Sequence, residues 1–336
     1  MPQPQYLGAK YQLLNWLTKH IPINGGVMLD GFGGSQSVAF AMKKMGFAVH
    51  TNDFLNFCHQ SGIALVANKS AILNKDDVAM LFADNPCRRK IMIRFKNIFF
   101  AESECVLLDN FRTNVDQFSC PHKRALALAI MCRSLTRKTI MGHFAHLRAM
   151  EYARNPLRVK RNPSIARNIH DLFLALLPQY NAAVFDNGQD NKSYHGNILE
   201  MLPSLADADL DLVYYDPPYC QSHADYQAFY HLLETFVEAW EDKTFINGNQ
   251  RYHPPRPSGF DKVGNVENSF RRLFALSDDI PYWLISYNDR STPTVETLAQ
   301  MARRHKKVRI EEKIYHTSRG GKGSVSGSRE FLLICQ

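Results

Sequence analysis

No stretch of the 336 residues approaches the roughly 18 consecutive apolar residues of a membrane span. The opening Met1-Pro2-Gln3-Pro4-Gln5 has neither the basic nor the apolar region of a signal peptide, so a cytoplasmic location is expected. Cysteine is sparse and odd in number, seven residues with no CxxC pair, which suits reduced thiols and argues against a disulfide framework. No metal is expected. Cys105, Cys120, His122 and Cys132 contain no ligand pair at structural zinc spacing, and His143 and His146, read as one face of a helix, lack the Glu of a zinc protease motif. Ser222, His223 and Asp225 stand too close together in sequence for a hydrolytic triad. Gly320-Gly321-Lys322-Gly323 lacks the spacing of a phosphate-cradling loop. There is no internal repeat, coiled coil or long low-complexity tract.

What is present begins with 45% hydrophobic residues, enough for a sizeable core in one large or two ordinary domains. The net charge of +8 is unevenly placed. Residues 85 to 168 hold 17 of the 40 Lys and Arg against 5 of the 32 Asp and Glu, leaving 23 basic and 27 acidic residues elsewhere. A positive field confined to one segment is the usual electrostatic footprint of nucleic-acid binding.

Two short apolar runs end in an acid. Val27-Met28-Leu29-Asp30 is followed by Gly31-Phe32-Gly33-Gly34-Ser35 and a helical pattern, and Ala48-Val49-His50-Thr51-Asn52-Asp53 forms the next strand of a βαβ unit. The glycines let backbone approach a ligand, and Asp53 is placed to accept ribose hydroxyls, with Phe54 beside it for a purine. From about Gly62 to Asp186 strand character is lost and helical stretches such as Lys123 to Leu135 and Ile169 to Leu177 take over. Strand signals return at 193–195, 211–215, 282–287, 308–315 and 331–335, the last two bracketing a glycine-rich hairpin connection. Residues 1–61 and 187–336 thus read as one split catalytic domain around a helical insert, 62–186.

The most informative feature is the run Leu210 to Tyr215 stopping at Asp216-Pro217-Pro218-Tyr219. Two prolines cannot continue a ladder, so a stiff corner leaves the sheet at a strand's carboxyl end. That corner holds a carboxylate, a main-chain carbonyl and an aromatic ring in fixed relation. Such a set fits an exocyclic amine on a heterocycle: the two oxygens accept its two hydrogens and Tyr219 stacks on the ring.

With these residues in their order, the chain resembles the DNA adenine methylases, the Dam-like family of S-adenosylmethionine-dependent N6-adenine methyltransferases. Tyr6-Leu7-Gly8-Ala9-Lys10-Tyr11 comes first, then Asp30 to Ser35, Asp53, the insert, and Asp216 to Tyr219. The resemblance covers about 1 to 60 and 190 to 336. It implies an α/β, Rossmann-like methyltransferase sheet, mostly parallel with a C-terminal antiparallel hairpin, and a mostly helical target-recognition insert. It further implies that Tyr6 and Lys10 reach the methionine part of S-adenosylmethionine, that Asp30, Phe32, Gly33 and Gly34 line its pocket, that Asp53 holds its ribose, and that Asn197 and Ile198 approach its adenine. The family usually has Pro where Gly31 stands, a second glycine where Gln36 stands, and Asp where Asn197 stands. An acid at position 216 implies adenine as substrate, since cytosine-N4 enzymes of this kind carry Ser there and glutamine methylases Asn.

The implied activity is site-specific methylation of adenine N6 in double-stranded DNA, with the base flipped out of the helix, and a cognate restriction endonuclease acting separately. RNA adenine methylation, or DNA binding by an inactive core, are the alternatives. In the insert Arg88, Arg89 and Lys90, Arg133, Arg137 and Lys138, and Arg158, Lys160 and Arg161 are the candidate DNA contacts, most of them to phosphates. Arg319, Lys322 and Arg329 of the closing hairpin are further candidates. Ser222 to Asp225 are expected to form a loop over the target base.

Overall fold

The computed structural model describes residues 1–220, 225–240, 244–245, 252–253, 258–315 and 328–336. Seven strands form one sheet: β1 (Val27–Asp30), β2 (Ala48–Asp53), β3 (Lys192–His195), β4 (Leu212–Tyr215), β7 (Tyr282–Asn288), β8 (Val308–Tyr315) and β9 (Ser328–Cys335). A two-residue pair, β5 (Thr244–Phe245) and β6 (Tyr252–His253), stands apart. The sheet order is β3-β2-β1-β4-β7-β9-β8, parallel from β3 to β7, with β9 antiparallel to both of its neighbours. The expected mostly parallel sheet and closing antiparallel hairpin are therefore present.

Side chains of a strand alternate between faces, so a sheet covered on both sides needs apolar residues at every position. The central strands meet this demand. Met28, Leu212, Tyr214, Leu284, Leu332 and Ile334 join one core with Leu13, Leu17, Val38 and Met42. Leu29, Val213, Tyr215, Trp283, Ile285 and Leu333 join the other, under the helices Val263–Leu276 and Val295–Ala302. The result is a three-layer arrangement whose strand order reverses between β1 and β4. Doubly wound sheets open a crevice at such a switch, outside the carboxyl ends of the strands.

Between β2 and β3 the described residues carry helices and one isolated bridge, Lys96 with Phe100. The helices expected over 123–135 and 169–177 span Pro121–Arg137 and Ile169–Asn181. Asp76 and Asp77 fall in the first turn of Lys75–Phe82, behind an Asn74 cap, as an acidic helix start should. The histidine pair is a correction. His143 and His146 lie outside any helix, with rings 5.5 Å apart. Gly142 before them has φ +75° and an open Cα against Gln5, which a helix would not tolerate.

These helices share a core with the rest of the chain. Phe40, Leu55, Phe57 and Cys58 pack in one cluster with Leu81, Phe95, Phe111, Leu128 and Phe173, and with Tyr230 and Phe236 of the helix Tyr226–Glu238. Arg112 adds polar fastening, donating from Nε to the Phe236 carbonyl at 2.9 Å and from Nη2 to that of Val237 at 3.1 Å. No helix among the described residues is long and apolar enough to cross a membrane.

Leu128 is fully buried in this shared core. Leu128→Ala should cost about 2–5 kcal/mol of unfolding free energy in urea titration, the range for a leucine truncated in a tight core. A loss below about 0.5 kcal/mol, the size expected of a surface change, would contradict the packing described.

Candidate active site

A cleft opens at the switch between β1 and β4. Its lining includes all fourteen residues expected at the catalytic corner and the donor site: Asp216, Pro217, Pro218 and Tyr219, together with Tyr6, Lys10, Asp30, Phe32, Gly33, Gly34, Asp53, Phe54, Asn197 and Ile198. They come from the N-terminal segment, from the ends of β1, β2 and β4, and from the turn after β3.

The glycine turn is built by close backbone contacts. Gly31 donates to the Tyr214 carbonyl at 2.9 Å, and a Cβ there would stand 2.9 Å from the Tyr215 ring. Proline at this position would lose the bond and meet the ring, which accounts for glycine here. Gly33 donates to the Asn52 carbonyl at 2.8 Å, and Gly34, at φ +46°, lies against the Tyr6 ring. Gln36 has φ +62°, the left-handed conformation that glycine adopts most easily. Its buried side chain turns inward, donating to the Cys58 carbonyl at 3.2 Å and accepting from Thr51 Oγ1 at 2.8 Å. Position 36 thus keeps the backbone of a glycine without narrowing the cleft. Asn197 caps the helix Ile198–Met201, accepting from Leu199 N at 3.1 Å, and donates to the Ser258 carbonyl at 3.4 Å, which an aspartate could not do.

Two buried carboxylates, Asp30 and Asp53, and the half-buried Asp216 shape the electrostatics. Asp30 is pushed up to about 8, first by burial and then by the negative charge of Asp216. Its Oδ2 accepts from Ala39 N at 3.2 Å, while Oδ1 is buried with no hydrogen-bond partner among the described residues. Asp53 is raised to about 6 by burial, against the pull of the N–H groups of Leu55 and Gly34, which its two oxygens accept at 2.8 and 2.7 Å. Asp216 is also raised, mainly by burial, and Lys10 opposes the shift.

Lys10 is only 4% exposed. Its Nζ donates to Asp216 Oδ1 at 2.8 Å and to Tyr219 Oη at 2.7 Å, and lies 3.3 Å from Glu330 Oε1. Tyr219 shares its own proton between Asp216 Oδ1 at 3.0 Å and Glu330 Oε1 at 2.8 Å. Glu330 was not expected at the site. It is fully buried and raised to about 7, by burial above all, with Lys10 opposing and Asp216 reinforcing the shift. The sequence signal was an acid at the edge of the apolar run Phe331 to Cys335.

Tyr6 stacks on Tyr230 at 4.9 Å between centroids and 5° between planes, and Leu7 N donates to Tyr230 Oη at 2.8 Å. This fastens the N-terminal segment to the helix that follows the corner. Asp225 caps that helix through Ala228 N and lines the cleft. Ser222 and His223 lie outside the described residues.

None of the seven basic residues Arg88, Arg89, Arg133, Arg137, Lys138, Arg158 and Arg161 lines the cleft. Lys138 is buried, donating to Glu104 Oε1 at 2.9 Å and to the Arg167 carbonyl at 2.8 Å. Arg133 reaches Gln5 Oε1 at 2.6 Å and the Gln3 carbonyl at 3.2 Å. Arg88 stands 3.7 Å from Asp84, and Arg158 lies over the Tyr152 ring at 4.1 Å. Arg89, Lys90, Arg158, Lys160 and Arg161 are exposed, Arg137 half-buried. Arg329 is exposed beside Glu312, whereas Arg319 and Lys322 lie outside the described residues.

A reversed strand order, a glycine turn after β1 and an acid-proline corner after β4 define a methyltransferase of the α/β class. Residues 6–254 match the D12 class N6 adenine-specific DNA methyltransferases, and the chain belongs to that family. It is also 30% identical to the type II methyltransferase M2.HphI of Haemophilus parahaemolyticus, over all of this chain and 98% of that protein. The protein is thus a site-specific DNA methyltransferase acting on adenine N6, and it uses a methyl donor of the S-adenosylmethionine type.

An unfolded Asp30 titrates near 3.8 and the folded one near 8, so between these values the folded state holds a proton that the unfolded state has lost. The stability tied to this proton is complete below the lower value and disappears as pH rises through the upper one. Asp30→Asn keeps an acceptor for Ala39 N and cannot ionise. It should flatten the fall in thermal midpoint of the ligand-free protein from about pH 6.5 to about pH 8.5. Equal slopes in the two proteins would contradict a protonated Asp30.

Proposed function

We propose that the cleft binds S-adenosylmethionine and an extruded adenine side by side, and that the Asp216 corner aligns the adenine amine for direct methyl transfer. What carries this reading is the meeting of Asp216 and Tyr219 with Asp30 and Asp53 in one cleft. The donor set fits the cofactor's chemistry. The unpartnered Oδ1 of Asp30 is an acceptor lacking a donor, suited to an ammonium, and Asp53 at the end of β2 suits ribose hydroxyls. Phe32, Phe54 and Ile198 offer apolar surface for a purine, with Gly33 and Gly34 admitting the chain closely. When bound, the cofactor supplies a methyl group on a sulfonium, an electrophile that needs no metal.

Adenine N6 is a weak nucleophile because its lone pair is delocalised into the ring. Asp216 and the Pro217 carbonyl accept its two hydrogens, favour the geometry that frees the lone pair, and stabilise the positive charge that grows on nitrogen. Tyr219 stacks on the base and adds a cation–π contribution. The two prolines hold these groups without a flexible backbone, so little ordering remains to be done at reaction. Extruding the base costs a few kcal/mol, which contacts to double-stranded DNA offset.

The division into a catalytic unit, 1–61 with 187–336, and a target-recognition unit, 62–186, follows from the basic character of the insert. Arg88, Arg89, Arg137, Arg158 and Arg161 are its DNA contacts in this reading. Arg133, bonded to Gln3 and Gln5, would hold the insert against the N-terminal segment, and Lys138, bonded to Glu104 and Arg167, would fasten the insert internally. A separate restriction endonuclease cutting the same sequence is the matching partner, in keeping with the type II name of the relative.

Two variants separate the roles. Asp216→Ala should reduce methyl transfer by at least about 1,000-fold while DNA affinity stays within about 3-fold. Asp53→Ala should raise the dissociation constant for S-adenosylmethionine by at least about 10-fold, about 1.4 kcal/mol. Near wild-type turnover in the first, or unchanged donor affinity by calorimetry in the second, would remove that residue from its role.

A further inference from the structure

We propose that Glu330 is a positioning residue for methyl transfer, acting on Asp216 through Lys10 and Tyr219; this rests on the assignment of Asp216 to the adenine amine. Because β9 runs against the parallel strands, its first residues arrive where those strands end, and Glu330 pairs in register with Asn288 of β7. The side chain is fully buried and reaches the corner with Oε1 alone, while Oε2 has no hydrogen-bond partner among the described residues. Burying a carboxylate is costly, and the strand itself needs no acid at this point. Gln would fill the same space.

The contacts show what the charge does. Among the described residues, the three hydrogens of the Lys10 ammonium face at least four acceptors: Asp216 Oδ1, Tyr219 Oη, Glu330 Oε1 and, at 3.2 Å, the Gly8 carbonyl. Without Glu330, Asp216 would be the one carboxylate left to the ammonium and to the single proton of Tyr219 among these contacts. Its oxygens would then be poor acceptors for a third donor. Glu330 draws off part of both, so Asp216 keeps accepting capacity for the amine, and Tyr219 is held by its hydroxyl while its ring meets Tyr287 edge-on at 5.8 Å.

The test is single-turnover methylation of DNA that the wild-type protein methylates, with donor and DNA affinities measured separately. Glu330→Gln should slow the methyl-transfer step by about 10- to 100-fold, the scale of a misplaced reacting group, with both dissociation constants within about 3-fold. Lys10→Met should be slow as well. In that background Glu330→Gln should cost less than it does in the wild type, because only the link through Tyr219 remains. A wild-type rate in Glu330→Gln, or the same fold loss in both backgrounds, overturns the proposal. Asp216→Ala run in parallel separates the two levels. Turnover in Asp216→Ala removes the assignment beneath the proposal, whereas loss there beside a wild-type rate in Glu330→Gln removes only the role of Glu330. If Glu330→Gln gives no cooperative melt, Tyr219→Phe removes the hydroxyl that joins Glu330 to Asp216 and keeps the ring. A rate about 10-fold slower with unchanged binding supports the proposal, and a wild-type rate overturns it.

Discussion

The contact between the buried ammonium of Lys10 and the carboxylate of Asp216, at 2.8 Å, joins parts of the chain that have little else in common. One partner belongs to the first helical turn and the other to the corner after the fourth strand. Tyr219 and, from the last strand, Glu330 close the group. An ammonium as buried as that of Lys10 is tolerable only with a charged partner and further hydrogen bonds, and removing Asp216 would take away its closest one. The pair therefore fixes the N-terminal segment against the sheet. It also brings Tyr6 to the glycine turn and settles where the corner points.

Around this pair the fold places charge and backbone in a consistent way. Strand order reverses at β1 and β4, so two acid-terminated strands open into one cleft. Carboxylates there lie in a low-dielectric setting, which raises Asp30 and Asp53 and leaves one oxygen of Asp30 without a donor. Asp30 holds a proton in the ligand-free site, and in the proposed reading the ammonium of the donor takes that proton's place.

Much of this was legible in sequence because it is local. Apolar runs closed by Asp30, Asp53 and Asp216 mark strand ends, and two prolines after an acid leave the backbone little freedom. Fourteen residues expected from the motifs line one cleft for that reason. What stayed hidden depends on distant pairing. Glu330 reaches the site only because β9 inserts antiparallel between β7 and β8, and a stretch of eight residues does not announce its neighbours. Gln36 shows a departure that the backbone absorbs: a left-handed residue whose amide finds partners in the core. Composition revealed where the basic residues are concentrated, yet not that Lys138 and Arg133 are occupied inside the protein. The helix expected for His143 and His146 is absent, and Gly142 before them takes a left-handed φ of +75°, which no right-handed helix contains.

The central claim is that a proline-fixed corner presents the Asp216 carboxylate and the Pro217 carbonyl to the amine of an extruded adenine. A crystal structure with methylatable duplex DNA and a non-reactive donor analogue measures this directly. The account predicts the adenine outside the helix with N6 about 2.7–3.2 Å from both oxygens. An adenine that remains stacked, or an N6 bonded to neither oxygen, would contradict it.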